Sequence, residues 1–160
     1  MMAKTLQYTG DDYGRGLDFL EQIREIDRAI LCKELQRDEL KSCLLPGAIR
    51  YDKDHIQSSP CNQMEDVMAR IDLLDRDIEA MKKDKARFIM DVSDMISLIP
   101  SDDEKVILLA FYVGNKRMKA VSDMVNYSLN WTYELRKRGV KHLGEIVREK
   151  EKKEKKKKNF

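Results

Sequence analysis

The chain has little of what cross-links or interrupts a fold: three cysteines, three prolines, two histidines and one tryptophan in 160 residues. Cys32, Cys43 and Cys61 form no Cys-x-x-Cys pair, and an odd number leaves no closed disulfide set, so a reduced cytosolic setting is expected. His55 and His142 stand far apart, and no His or Cys has metal-ligand spacing; neither a metal nor a cofactor is expected. No run of 18 apolar residues occurs, which argues against a membrane span. The opening Met-Met-Ala-Lys-Thr leads into Gly and acidic residues rather than an apolar signal core. Gly-x-Gly-x-x-Gly, Walker and nucleophile-elbow patterns are absent, so the sequence reads as a non-enzyme.

Net charge of one sign is lacking too, with 31 Lys plus Arg against 29 Asp plus Glu. Its distribution is uneven. Residues 1–102 carry 15 basic and 21 acidic side chains, whereas residues 103–160 carry 16 basic and 8 acidic. A basic C-terminal part on an acidic N-terminal one suits a nucleic-acid reader joined to a spacer or partner-binding element.

With so few prolines, long helices are free to form. Residues 1–16, with Gly10, Gly14 and Gly16, read as a flexible leader. Over residues 17–45, Phe19, Ile23, Ile26, Ile30, Leu40 and Leu44 follow three-four spacing, interrupted by Lys33 and Arg37. Pro46-Gly47 ends that helix, and residues 46–62 read as a polar loop. Then Met64, Val67, Ile71, Leu74, Ile78, Met81, Lys85, Phe88, Val92, Met95 and Ile99 form a heptad seam. A helix over 63–99 would be about 55 Å long and could not bury its stripe alone. The spacing therefore predicts an antiparallel, coiled-coil-like helical hairpin over 17–99, and pairing with a second copy through the heptad helices stays open. Met64, Met81 and Met95 read as core fillers; Lys85 in the seam could fix register or mark a break, and reads first as a side chain that snorkels outward.

Pro100 and the capping-box pattern Ser101-Asp102-Asp103-Glu104 mark a boundary, after which residues 101–144 are expected to form a second, independently folding all-helical domain. Its helices are predicted near 102–112, with Val106, Leu109 and Phe111 as core candidates, near 117–124 and near 129–143. Residues 145–160 form a Lys/Glu-rich tail.

Residues 118–135 have helix-turn-helix spacing. Ser122 is the small residue at the helix contact, and Asn126 tolerates positive φ in the turn. Ser128 is placed to cap the second helix, and Thr132, Leu135 and Gly139 share its inner face. Asn130, Glu134, Lys137 and Lys141 then project outward, with Tyr133 at one edge and Trp131 with Arg138 at the other. Amide, carboxylate and cationic groups of this kind suit base edges and phosphates, and Ser128 joins them as a candidate DNA contact. Trp131 could instead pack on a neighbouring helix beside Leu135, and the terminal lysines suit nonspecific DNA association or simple solvation.

Residues 103–143, through Tyr112-Val113-Gly114, Val121, Asn126-Tyr127-Ser128, Tyr133 and Leu135, resemble region 4 of bacterial sigma factors. More closely, the chain resembles the ArpU and RinA type of late-gene transcriptional activators of Gram-positive phages and prophages. Members of that group resemble a helical hairpin whose loop reads like Asp54-His55-Ile56-Gln57-Ser58-Ser59-Pro60. The resemblance implies an all-α, phage-type, sequence-specific DNA-binding transcriptional regulator in the bacterial host cytosol. Its partners would be double-stranded DNA and host RNA polymerase. A protein-binding adaptor or inhibitor, acting on polymerase or another host protein through the hairpin, is the alternative. The chain departs from the group at Arg117 in place of a Ser or Thr cap, Ser122 in place of Ala, Thr132 in place of an aliphatic residue and Glu134 in place of a basic one.

Overall fold

A computed structural model describes residues 11–45 and 60–159, with the side chains of the second stretch described from residue 63. The described residues are helical apart from short connections. The helices are α1 (Asp12–Cys43), α2 (Pro60–Ser97), α3 (Asp102–Leu108), α4 (Met118–Val125) and α5 (Leu129–Lys158), and a π-helical turn, Leu109–Val113, continues α3. No helix is long and apolar enough to cross a membrane among these residues. Residues 1–10 of the expected leader and most of the expected loop, with His55, Ile56 and nearly all of the Asp54–Pro60 stretch, lie outside the described residues.

The chain divides into two compact units, one of residues 26–86 and one of residues 1–25 with 87–160. Within the first, Ile30, Ile71, Leu74 and Ile78 are buried, as the seam requires. The charged interruptions of the α1 stripe are used as clasps. Asp27 pairs with Lys85, Glu34 with Lys82, Lys33 with Asp77 at 3.1 Å and Arg37 with Asp75 at 3.1 Å, so α1 and α2 run in opposite directions in this unit. Lys85 thus reaches a partner on the facing helix rather than snorkelling into solvent. Met64, expected as core filler, is instead 44 % exposed, because it lies at the end of the seam.

The second unit has a core of Leu20 and Ile23 from α1, Val92, Met95, Ile96 and Ile99 from the end of α2, Leu108 and Tyr112, and Val140, Leu143 and Val147 from α5. Phe19 and Phe88 meet edge to face, 5.5 Å between centroids. Residues on both sides of Pro100 share this one apolar cluster, and a unit this small gains from every long helix that buries surface in it. The residues 12–16, expected in the leader, are helical, with Asp11 Oδ1 accepting the Tyr13 N–H at 3.2 Å. The tail is helical as well, α5 running on to Lys158.

Ser101 caps α3, its hydroxyl accepting the Glu104 N–H at 3.4 Å. The Glu104 carboxylate does not complete a capping box; it is buried with Oε2 2.6 Å from His142 Nδ1, so His142 is not the lone residue its sequence position suggests. Among the core candidates of α3, Val106 is 40 % exposed and Leu109 and Phe111 only partly buried, while Ile107 and Leu108 are fully buried. The α3 face is therefore one residue out of phase with the expectation, and Ala110 and Tyr112 continue that buried face at i+3 and i+4 from Ile107 and Leu108 through the π-helical turn.

Candidate nucleic-acid interface

The candidate surface is built by what fixes the rotation of α5. At the end of α4, Asn126 adopts the left-handed conformation, φ 57° and ψ 39°, as its side chain permits. Its N–H and that of Tyr127 both turn back to the Ser122 carbonyl, closing the α4 terminus. The Tyr127 hydroxyl donates to Asp103 Oδ2 at 2.8 Å, tying the turn to the first turn of α3. That bond to an anionic acceptor holds the Tyr127 hydroxyl pKa above its ordinary value. Ser128 then caps α5, its Oγ accepting the Trp131 N–H at 3.2 Å.

Inside the helix, Thr132 and Leu135 are buried, Leu135 against Ile107, Ala110 and Val121. Gly139 is buried where a Cβ would come within 3.2 Å of the Leu108 side chain. The two polar departures at the helix contacts are satisfied locally. The Thr132 hydroxyl donates to the Ser128 carbonyl at 2.9 Å and the Ser122 hydroxyl to the Lys119 carbonyl at 2.7 Å, so neither leaves an orphan polar atom in the core. Arg117, in the cap position of α4, makes no side-chain capping bond.

With the inner face locked, all eight sequence-predicted residues lie exposed on one end of α5: Ser128, Asn130, Trp131, Tyr133, Glu134, Lys137, Arg138 and Lys141. Asn130, Glu134, Lys137 and Lys141 share one stripe at helical spacing. Trp131 does not pack into the core; it is 40 % exposed and Arg138 lies over its ring at 5.0 Å from the centroid. Glu134 forms a solvent-exposed ion pair with Lys137 at 3.7 Å, so the acid of the stripe is partly answered by its own neighbour. Lys116, Arg117 and Lys119 are exposed around the start of α4.

Sequence reasoning passed over Arg136. Its guanidinium lies 4.8 Å from the Phe111 centroid and 5.3 Å from that of Tyr133. The usable signal was Tyr133 three residues earlier, a spacing that puts both on one side of a helix. Among the described residues no group of three His, Cys, Asp or Glu side chains is arranged to hold a metal ion.

The arrangement can offer an amide, a carboxylate and several cations to a polyanion along one helix face, with aromatic rings at both edges. Comparison of the chain with protein-family models, with curated proteins and with solved structures finds no match.

Proposed function

We propose that the chain is a sequence-specific DNA-binding transcriptional regulator of the phage type. In this reading α4, the Asn126–Ser128 turn and the first half of α5 act as a helix-turn-helix similar to region 4 of sigma factors, with α5 entering the major groove near a promoter. The observation that carries it is the rotational lock of α5: Thr132, Leu135 and Gly139 are buried while Asn130, Lys137 and Lys141 are exposed on the opposite face. Asn130 can present donor and acceptor together to an adenine edge, and the cations can meet phosphates. Host RNA polymerase is the natural protein partner of such a module, and the α1–α2 hairpin serves as spacer or pairing element. The regulator acts in the bacterial host cytosol and has no catalytic role.

A second reading, a protein-binding adaptor or inhibitor, is supported by Leu31, Leu35 and Leu73, each more than half exposed in the unit of residues 26–86. One experiment separates the two. Purified protein is used to select bound fragments of the encoding genome at rising salt. Enrichment of one upstream region, held about 10³-fold or more tighter than bulk DNA, supports the regulator. Uniform weak retention overturns it and favours the adaptor.

A further inference from the structure

Arg136 and Arg138 leave α5 on opposite sides, since residues two apart are about 200° apart around a helix of 3.6 residues per turn. Both are stacked on aromatic rings, Arg136 between Phe111 and Tyr133 and Arg138 on Trp131. Both also lack an answer to their charge. Among the described residues neither is joined to a carboxylate, whereas Arg148 of the same helix is paired with Asp12. Arg24 shows the contrast: it too lies over Phe111, at 4.7 Å, yet its guanidinium has Glu21 at 3.4 Å.

An arginine that is ring-stacked and unpaired is a cation prepared for an external anion. The ring holds the guanidinium plane and limits its rotamers, so less entropy is lost when an anion docks, while the terminal Nη–H groups stay available for bidentate bonding. A phosphate diester fits that fork.

We propose that Arg136 and Arg138 are two braced phosphate seats, one on each flank of α5, Arg136 on the flank nearer the core and Arg138 beside the exposed stripe, that grip the two backbones bordering a single major groove of duplex DNA. The dimensions agree: a helix with its side chains is about 10–12 Å across and the major groove about 12 Å wide, so the edges of an inserted helix face the two phosphate strands. Tyr133 and Trp131 are positioning residues in this scheme, holding the arginines rather than reading bases. The proposal rests on the DNA-binding reading of the same helix and adds to it how the helix is centred in the groove.

The test uses the full chain and a short random-sequence duplex, with affinity followed by fluorescence anisotropy across salt. Arg136→Gln and Arg138→Gln should each lower the slope of log affinity against log salt by about one unit, and the double variant by about two. Trp131→Leu and Tyr133→Leu keep both charges, so they should weaken binding about two- to fivefold with the slope unchanged. Arg136→Lys, which keeps the charge and loses the planar stack, should behave like the ring variants, and thermal melting of each protein checks its fold. Slopes unchanged in both Gln variants, with wild-type binding intact, overturn the phosphate seats alone. Absence of duplex binding by the wild-type chain at low salt overturns the DNA-binding reading and the seats together.

Discussion

Gly16 on α1 and Gly144 on α5 lie where two helix backbones touch. A Cβ on Gly16 would overlap the Val140 carbonyl and stand 3.0 Å from the Gly144 nitrogen, and a Cβ on Gly144 would overlap the Asp12 carbonyl. Asp12 and Arg148 bracket the crossing with an ion pair at 2.9 Å. The crossing joins the start of α1 to the helix that carries the candidate interface, so it is a determinant of where that helix sits.

Two effects of opposite sign compete in Gly16→Ala and Gly144→Ala. Helix propensity favours Ala by about 1 kcal/mol. The added methyl, however, meets backbone rather than a side chain that can rotate away, and overpacking of this kind costs about 1–3 kcal/mol or more. Packing should win in both variants, with a lower urea midpoint and an unchanged m-value. Equal or raised stability would mean the helices do not approach this closely.

Such a contact explains what sequence could and could not give. The seam from Ile71 to Ile99 was legible because a period is local information, and the outward set on α5 followed from Thr132, Leu135 and Gly139 alone. Gly14 and Gly16 read as leader because glycine lowers helix propensity, yet tertiary packing against α5 outweighs that cost. The partner of Gly16 lies more than a hundred residues away, and no periodicity encodes it. The Glu104–His142 pair was hidden for the same reason, and the capping-box pattern actively pointed the carboxylate elsewhere.

The shared core across Pro100 has a direct consequence for dissection. A fragment of residues 101–159 loses Leu20, Ile23, Val92, Met95, Ile96 and Ile99, which leaves Leu108, Val140 and Leu143 without their main cover. Its circular dichroism should show helix that melts without a cooperative transition, in contrast to the full chain. A sharp transition at a temperature near that of the full chain would show that the expected boundary at Pro100 is a true folding boundary.

In the seam, Ile78 is 3 % exposed. Ile78→Ala should cost about 2–5 kcal/mol. Ile78→Asp should cost more, since a carboxylate joins apolar neighbours without a partner. Leu31→Asp, at an exposed position, is the control and should stay within about 0.5 kcal/mol of wild type by denaturant titration. Equal effects at the two positions would mean the stripe of α2 is not buried.

Alkaline pH should destabilise the fold through two tyrosines. Burial raises the Tyr112 pKa above its ordinary value of 10.0, and the bond to Asp103 raises that of Tyr127. The folded state thus keeps these protons longer than the unfolded chain, so stability is fully present below pH 10 and is lost as pH rises through the raised values. Tyrosinate absorbance should show two hydroxyls titrating above pH 10 that Tyr112→Phe and Tyr127→Phe remove one at a time, and Tyr112→Phe should flatten the decline in stability above pH 10. A Tyr112→Phe variant with the wild-type alkaline profile would remove Tyr112 as the cause.

The exposed stripe of α5 separates base reading from charge, and the ion pair within it gives the sharpest distinction. Asn130→Ala should cost about 1–3 kcal/mol on the selected site while leaving binding to random duplex nearly unchanged, since an amide reads a base edge and carries no charge. Lys137→Ala should weaken all sequences alike, but by less than a free lysine would, because Glu134 already holds Lys137 at 3.7 Å. Glu134→Gln removes a charge that repels phosphate and releases Lys137, so it should tighten random-duplex binding and steepen the salt slope. It should also relax discrimination at any position where the carboxylate accepts a hydrogen bond from cytosine. Gel-shift titrations of the three variants across salt measure all of this at once. If Glu134→Gln leaves both affinity and slope untouched and Asn130→Ala leaves the preferred site intact, the first half of α5 does not face DNA, and the exposed leucines of the α1–α2 unit become the surface to pursue.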